Sequence, residues 1–174
     1  MAEVAKLASL GAGEIDELTD LLHDAVTHGA SVGYVLPVDI AMLRGYWNGV
    51  ARDVAAGDIC LMATRRDGRI VGSAQLAFCA KPNAPHRAEL QKVLVHSAYR
   101  RLGLGRALMH AAEEHALMNG RSLLVLDTES DSAGQRLYET AGYVKVGDIP
   151  RFCLGTVGGW AATTYMYKFL DGAT

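Results

Sequence analysis

Val95-His-Ser-Ala-Tyr-Arg100-Arg-Leu-Gly103-Leu-Gly105-Arg106-Ala-Leu108 is the stretch on which the reading of this chain turns. Two glycines stand where a strand gives way to a helix. The first turn of a helix carries unpaired N–H groups and the positive end of the helix dipole. Glycine lets a ligand approach that backbone with no Cβ in the way. Arg100, Arg101 and Arg106 add positive charge. This combination points to anion binding, with a pyrophosphate the best match. A P-loop is excluded, because no Lys-Ser/Thr follows Gly105. A dinucleotide fingerprint is excluded as well, since Leu108 stands where its third glycine belongs. The alternative is a glycine-rich turn whose arginines only aid solubility.

Working outward, Arg87 to Val95 reads as the strand before this turn and Gly103 to Asn119 as the helix after it, with Leu104, Leu108, Ala111 and His115 on one face. Leu123 to Thr128 is continuously apolar at its start, as a buried strand is. Ser132 to Ala141 is a short helix stopped by Gly142. Tyr143 to Val146 and Thr163 to Phe169 read as closing strands. Upstream, Val4 to Leu10 reads as a strand, and Glu14 to His28 carries the helical stripe Ile15, Leu18, Leu22, Ala25. Asp39 is placed to cap a helix with Ile40, Leu43, Trp47, Val50 and Val54 in register, ending at Gly57. Asp58 to Thr64 and Arg69 to Cys79 flank the Asp67-Gly68 turn of a hairpin. The order β-α-α-β-β-β-α-β-α-β-β holds one parallel crossover among hairpins. It predicts an α/β fold with a mixed, mostly antiparallel twisted sheet of six to seven strands and about four helices, not a doubly wound sheet.

The chain has 174 residues, 50% hydrophobic and 21% charged, which suits one domain over residues 1–174. It shows no internal repeat and no low-complexity linker. Seventeen Lys and Arg against nineteen Asp and Glu give a net charge of −2, without the basic excess of a nucleic-acid binder. No apolar run reaches the length of a membrane span, and the first residues have no secretory h-region. Cys60, Cys79 and Cys153 lie too far apart for C-x-x-C spacing or a disulfide framework. A reducing, cytoplasmic setting is the expectation.

Arg100-Arg-Leu-Gly103-Leu-Gly105 fits every position of [QR]-x-x-G-x-[GA], the acetyl-CoA signature of the Gcn5-related N-acetyltransferase family. Asp131-Ser-Ala-Gly134-Gln-Arg-Leu137-Tyr138-Glu-Thr-Ala-Gly142-Tyr143 resembles that family's second element, Asn-x-x-Ala-x-x-Leu-Tyr-x-x-x-Gly-Phe/Tyr. The chain resembles the family over nearly its whole length. The resemblance implies acetyl-CoA as co-substrate, no metal, and direct transfer of an acetyl group to an amine. It implies cofactor binding by Arg100, Arg101, Leu102, Gly103, Leu104, Gly105 and Arg106, and by the backbone of Val93, Leu94 and Val95. Ser97 replaces a frequent proline, a change expected to matter little. Asp131 replaces a frequent Asn, and its charge speaks against a contact with polyphosphate. His28-Gly-Ala-Ser-Val-Gly-Tyr34, Lys81-Pro-Asn83, Arg87-Ala-Glu89-Leu-Gln-Lys92 and Leu126-Asp-Thr-Glu129 are similar to the tabtoxin-resistance acetyltransferases, which acetylate the amine of a small amino-acid toxin.

An alkyl ammonium is mostly charged at neutral pH, so transfer to an amine needs a base. Strand alternation puts Arg87, Glu89 and Gln91 on one face, opposite Ala88 and Leu90. Glu89 is the first candidate base; the alternative is a structural pair with Arg87 or a neighbouring strand. Asp127 ends a buried strand, where an acid needs a ligand, a partner or solvent. It is the second candidate, and capping of the next turn is its alternative. Tyr138 is the candidate general acid through the resemblance alone. His110 and His115 lack the i, i+4 spacing of a zinc helix. His86, His96, Cys153 and Trp47 receive no role, and Trp160 is placed in a loop. The expected acceptor is a small-molecule amine, with a protein or peptide acetyltransferase and a non-catalytic CoA-binding sensor as rivals. No nucleic-acid or membrane partner is expected, and a sheet edge near the C-terminal strand leaves room for a homodimer.

Overall fold

The structure, a computed structural model, describes residues 3–172, so the expected 1–174 domain extends beyond it at both ends. The elements are β1 (Val4–Leu7), α1 (Ala12–Thr27), α2 (Ile40–Ala56), β2 (Ile59–Arg66), β3 (Arg69–Phe78), β4 (Arg87–Val95), α3 (Leu104–Met118), β5 (Leu123–Glu129), α4 (Ala133–Thr140), β6 (Val144–Leu154) and β7 (Trp160–Phe169). Their order is the one predicted. They build one seven-stranded sheet in the spatial order β1-β2-β3-β4-β5-β7-β6. Neighbours are antiparallel except β4 and β5, which α3 joins as a parallel crossover.

Both faces of the central strands are covered, which is why β2 and β3 read as near-continuous apolar runs. Alternation sorts β2 between two cores. Leu61 and Ala63 pack with the α1 stripe Leu18, Leu22, Ala25 and with Leu43, Trp47 and Val50 of α2. Cys60 and Met62 face the other way, with Leu108, Met109 and Ala112 of α3 and with Leu124 and Leu126 of β5. Asp39 caps α2 as expected, accepting the Ala41 N–H at 2.8 Å, and Gly57 ends that helix in the left-handed conformation.

Several boundaries differ from expectation. Ile40, the first residue of α2, is 46% exposed, whereas Leu43 and Trp47 on the same stripe are fully buried. The buried face of α3 is Leu104, Leu108, Met109, Ala112 and Ala116, leaving Ala111 and His115 at its half-buried margin. β1 stops at Leu7. α1 starts at Ala12, where the Glu14 carboxylate accepts the Gly11 N–H at 3.1 Å. β6 is far longer than the predicted 143–146, and Trp160 begins β7 rather than lying in a loop. Gly147 and Pro150 are ordinary strand breakers. Register shifts between Lys145 and Gly147 and between Ile149 and Cys153 absorb them, as an edge strand permits.

Leu108 is fully buried beneath β3, whereas Leu102, six residues earlier in the chain, is 62% exposed. Leu108→Ala is expected to cost about 2–5 kcal/mol of unfolding free energy and Leu102→Ala less than about 0.5 kcal/mol, read by urea denaturation.

Candidate functional site

β4 and β5 pair over only three positions, Arg87 with Leu123, Ala88 with Leu124 and Glu89 with Val125. Beyond that point each strand keeps its outer partner, β3 or β7, but the two no longer pair with each other. A cleft of about 1150 Å³ opens between their C-terminal halves. The backbone of β4 beyond Glu89 therefore has no β-partner on its cleft side, and buried backbone donors without partners are held for a ligand or for water.

The glycine turn lies at this cleft. Gly103 sits at φ 78°, a conformation that favours glycine, and caps α3 with no side-chain hydrogen bond. The first intrahelical bond runs from the Ala107 N–H to the Gly103 carbonyl at 3.1 Å. The N–H groups of Leu104, Gly105 and Arg106 are thus left for an anion. A Cβ on Gly105 would come within 3.1 Å of Leu137 Cδ2, so the end of that side chain would have to give by a few tenths of an ångström to admit one. Arg100 folds back to donate from Nε to the Val95 carbonyl at 3.3 Å, bracing the turn. Val93, Leu94, Val95, Arg100, Arg101, Gly103, Leu104, Gly105 and Arg106 all line the cleft, and Leu102 does not. These residues suit a long anionic ligand with a pyrophosphate at the helix end. Asp131 also stays outside the cleft; its N–H donates to Gln135 Oε1 at 2.7 Å.

Glu89, Asp127 and Tyr138, widely spaced in the chain, line the same cleft from β4, β5 and α4. Glu89 makes no pair with Arg87, whose guanidinium donates to Cys79 Sγ at 3.3 Å instead. Burial together with the nearby Arg87 and Lys81 bears on that thiol: a backbone hydrogen bond from Lys81 leads in lowering its pKa, against a smaller opposing effect of desolvation. Asp127 is exposed to the cleft and accepts from the Thr163 hydroxyl at 2.8 Å; that hydroxyl also lies 3.0 Å from the Thr128 carbonyl. Tyr138 is buried, and burial followed by the negative charge of Asp127 pushes its phenol pKa well up. It stays protonated through the neutral range, as a hydrogen-bond or proton donor must. Its ring packs edge-on against Tyr143, with centroids 5.7 Å apart.

Ser97 matters more than its sequence position suggests. Its N–H and its hydroxyl each donate to the Asp24 carboxylate, both at 2.7 Å. Asp24 lies in the last turns of α1, and Ser97 opens the 3₁₀ turn that leads into Arg100. His28 Nδ1 and His96 Nε2 stand 3.2 and 3.6 Å from the same carboxylate. Burial pushes the Asp24 pKa up, but the two Ser97 hydrogen bonds and then the two histidines outweigh it, and the net shift is downward. The joint links α1 to the glycine turn across 73 positions of sequence, a relation no local pattern carries.

The sequence reading assigned no role to several other cleft residues. His28 and Gly33 bound the α1–α2 loop along one wall, and Phe152 and Cys153 of β6 form another. The two walls meet where Leu36 N–H donates to the Thr156 carbonyl at 2.7 Å. Lys92 and Tyr46 also line the cleft. Among the described residues, no three His, Cys, Asp or Glu side chains gather as metal ligands would.

Comparison with known proteins agrees with this geometry. Residues 22–143 match the model of the acetyltransferase (GNAT) family. An uncharacterised N-acetyltransferase encoded between hisH and hisA in Azospirillum brasilense is 32% identical over 90% of this chain and 94% of its own length. The L-methionine sulfoximine/L-methionine sulfone acetyltransferase of Pseudomonas paraeruginosa is 26% identical over 96% of this chain and 95% of its own. Among solved structures, yncA of Salmonella typhimurium, determined with its cofactor acetyl-CoA, superposes with a TM-score of 0.79 at 21% identity, covering 100% of this chain and 96% of that one.

Asp24→Asn should cost about 1–3 kcal/mol at neutral pH, because an amide can accept only part of what the carboxylate accepts. The folded pKa of Asp24 is depressed, so its contribution is complete above the ordinary carboxylate value of 3.8 and fades as the pH falls below it. Denaturation curves of the two proteins should therefore converge as the solution is acidified. A gap that stays constant into strong acid would exclude the carboxylate as its cause.

Proposed function

The chain belongs to the acetyltransferase (GNAT) family, and from that premise we propose that it moves the acetyl group of acetyl-CoA directly to the primary amine of a small molecule. The observation that carries this reading is the parting of β4 and β5, which puts an uncapped helix N-terminus with basic neighbours and two carboxylates into one cleft. The helix end and its arginines suit the pyrophosphate of coenzyme A, and the unpaired β4 backbone at Val93 to Val95 suits its pantetheine arm. Glu89, with Asp127 beside it, takes the proton of the acceptor ammonium. Tyr138, kept protonated by burial, donates to the departing thiolate. Free thiols ionise near pH 8.5, so the leaving group gains from a donor at neutral pH.

An amino-acid-like acceptor, such as a toxin or antibiotic bearing a free amine, is favoured by the relative that acetylates L-methionine sulfoximine and L-methionine sulfone. The α1–α2 loop and β6 close around the cleft, which favours a small acceptor over a long peptide. The three cysteines are free thiols, in keeping with a reducing cytoplasm. Among the described residues no helix is long and apolar enough to cross a membrane.

The test is thiol release from acetyl-CoA across the standard amino acids, L-methionine sulfone, a β-lactam amino-acid analogue, simple alkylamines and short peptides. Turnover on one small-amine class supports the reading. Turnover on peptides alone would replace it with a peptide acetyltransferase, and acetyl-CoA binding without turnover would replace it with a sensor. Tyr138→Phe should lower kcat about 10²-fold or more with little change in acetyl-CoA affinity. Glu89→Gln and Asp127→Asn should slow the acidic limb of the pH–rate profile, and unchanged profiles in both would remove the carboxylate base. Cys153→Ala should keep its turnover, since direct transfer uses no enzyme thiol.

We further propose a homodimer through the β6–β7 hairpin. β6 is an edge strand of the sheet, and Val146 towards one end of the hairpin and Val157 and Trp160 at the other are 70%, 86% and 67% exposed. Light scattering should give twice the chain mass, and Val146→Asp with Val157→Asp should halve it. A wild-type monomer at micromolar concentration would exclude the dimer.

A further inference from the structure

Lys92 occupies a place that strand geometry alone does not give it. Gln75 opposes Gln91 and Ser73 opposes Leu94, so β4 carries one more residue than β3 over this stretch. The extra residue forms a bulge in which Lys92 takes φ 48°, a left-handed conformation rare for a side-chain-bearing residue. The Ser73 hydroxyl holds the bulge by donating to the Lys92 carbonyl at 3.1 Å. Simple alternation would put Lys92 on the face of Ala88 and Leu90, both buried in the apolar core. The bulge brings it to the cleft instead, on the lining that also holds Glu89 and Asp127.

The surroundings of the ammonium leave it unspent. Nζ stands 5.1 Å from the ring centroid of Tyr46, a cation–π contact that supplies no acceptor. The Tyr46 hydroxyl is turned away, donating to Gln75 Oε1 at 3.0 Å, and the buried Nε2 of that glutamine has no acceptor of its own. Burial draws the Lys92 pKa down, while Asp127 and Glu89 oppose that shift from a distance as charges. Among the described residues, neither carboxylate forms an ion pair with it. A desolvated ammonium without an acceptor is costly, and the cost is relieved by any ligand that brings an anion to it.

The cleft therefore has a cationic point and an anionic side. We infer that Lys92 is the specificity-determining residue of the acceptor site, its ammonium receiving the carboxylate or other anionic group of a zwitterionic acceptor whose amine lies beside Glu89 and Asp127. An amine lacking the anion leaves Lys92 uncompensated, which is discrimination by an unpaired charge. This inference rests on reading the cleft as the site of acetyl transfer, and it narrows the acceptor to amino acids and their analogues.

Two matched pairs test it: L-methionine sulfone with its decarboxylated amine, methylsulfonylpropylamine, and L-phenylalanine with phenethylamine. In the wild type, kcat/KM for at least one acid should exceed that for its amine by about ten- to hundredfold, the worth of one charge-assisted hydrogen bond. Lys92→Met should collapse that ratio toward one, chiefly through the KM of the acid, while Lys92→Arg should retain most of it. Circular dichroism and thermal melting establish that each variant is folded. A second readout needs no turnover: calorimetric binding of the N-acetylated acids and amines to the CoA-loaded protein. The N-acetyl acid should bind more tightly than the N-acetyl amine, and Lys92→Met should abolish the difference. Equal losses on acid and amine in Lys92→Met, or no preference for the acid in the wild type, would overturn the inference. Lys92-dependent binding of the acid with no turnover on any amine would uphold it and sink the acetyl-transfer reading instead.

Discussion

The whole arrangement depends on how little β4 and β5 pair. Three residue pairs hold two parallel strands together at their N-terminal ends, and past them the sheet is in effect two sheets sharing a hinge line. β3 pairs with β4 and β7 with β5, so each bank of the gap is held by an outer strand. Everything that makes the cleft chemical follows from that gap. It frees the backbone of β4, points the start of α3 at open space, and sets carboxylates from both strands facing a common volume. Had the parallel ladder run the full length of β5, Glu89 and Asp127 would lie on a closed surface with nothing between them.

Charge divides that volume. The end at Arg100, Arg101 and Arg106 is positive, with three guanidinium groups beside the helix terminus. The interior is mixed, with Lys92 set among Glu89 and Asp127. On the proposed reading, a long polyanion and a small polar acceptor have separate places in this cleft. Asp24 joins the two regions, because its carboxylate fixes Ser97 at the head of the glycine turn while His28, its neighbour, belongs to the acceptor-side loop.

Much of this was legible in the sequence. Leu18, Leu22 and Ala25, with Leu43, Trp47 and Val50, announced two helices and their buried faces because helical periodicity is local. Asp67-Gly68 announced a hairpin, and Gly57 the end of α2, because those conformations demand those residues. Three features escaped for one shared reason: each is decided by a partner strand or a distant residue. β6 survives Gly147 and Pro150 only because an edge strand can bulge. Lys92 reaches the cleft only because Ser73 and Gln75 fix a register in which β4 has a residue to spare. Ser97, read as a minor departure, is bonded to a residue 73 positions away. Tyr138 would have passed for ordinary helix packing, since nothing in Leu137-Tyr138 itself signals a cleft.

The hydroxyl that steadies Asp127 belongs to Thr163 on β7, and β5 itself pairs along seven residues with that strand. The pairing spans distant parts of the chain, the kind of contact that pays its loop-closure entropy before it gains anything. The helix cap at Gly103 can form from neighbouring residues alone. The carboxylate bank of the cleft cannot, since it needs β7 inserted between β5 and β6. The side of the cleft that carries Asp127 therefore depends on non-local strand pairing, whereas the first turn of α3 depends mainly on its own glycine cap.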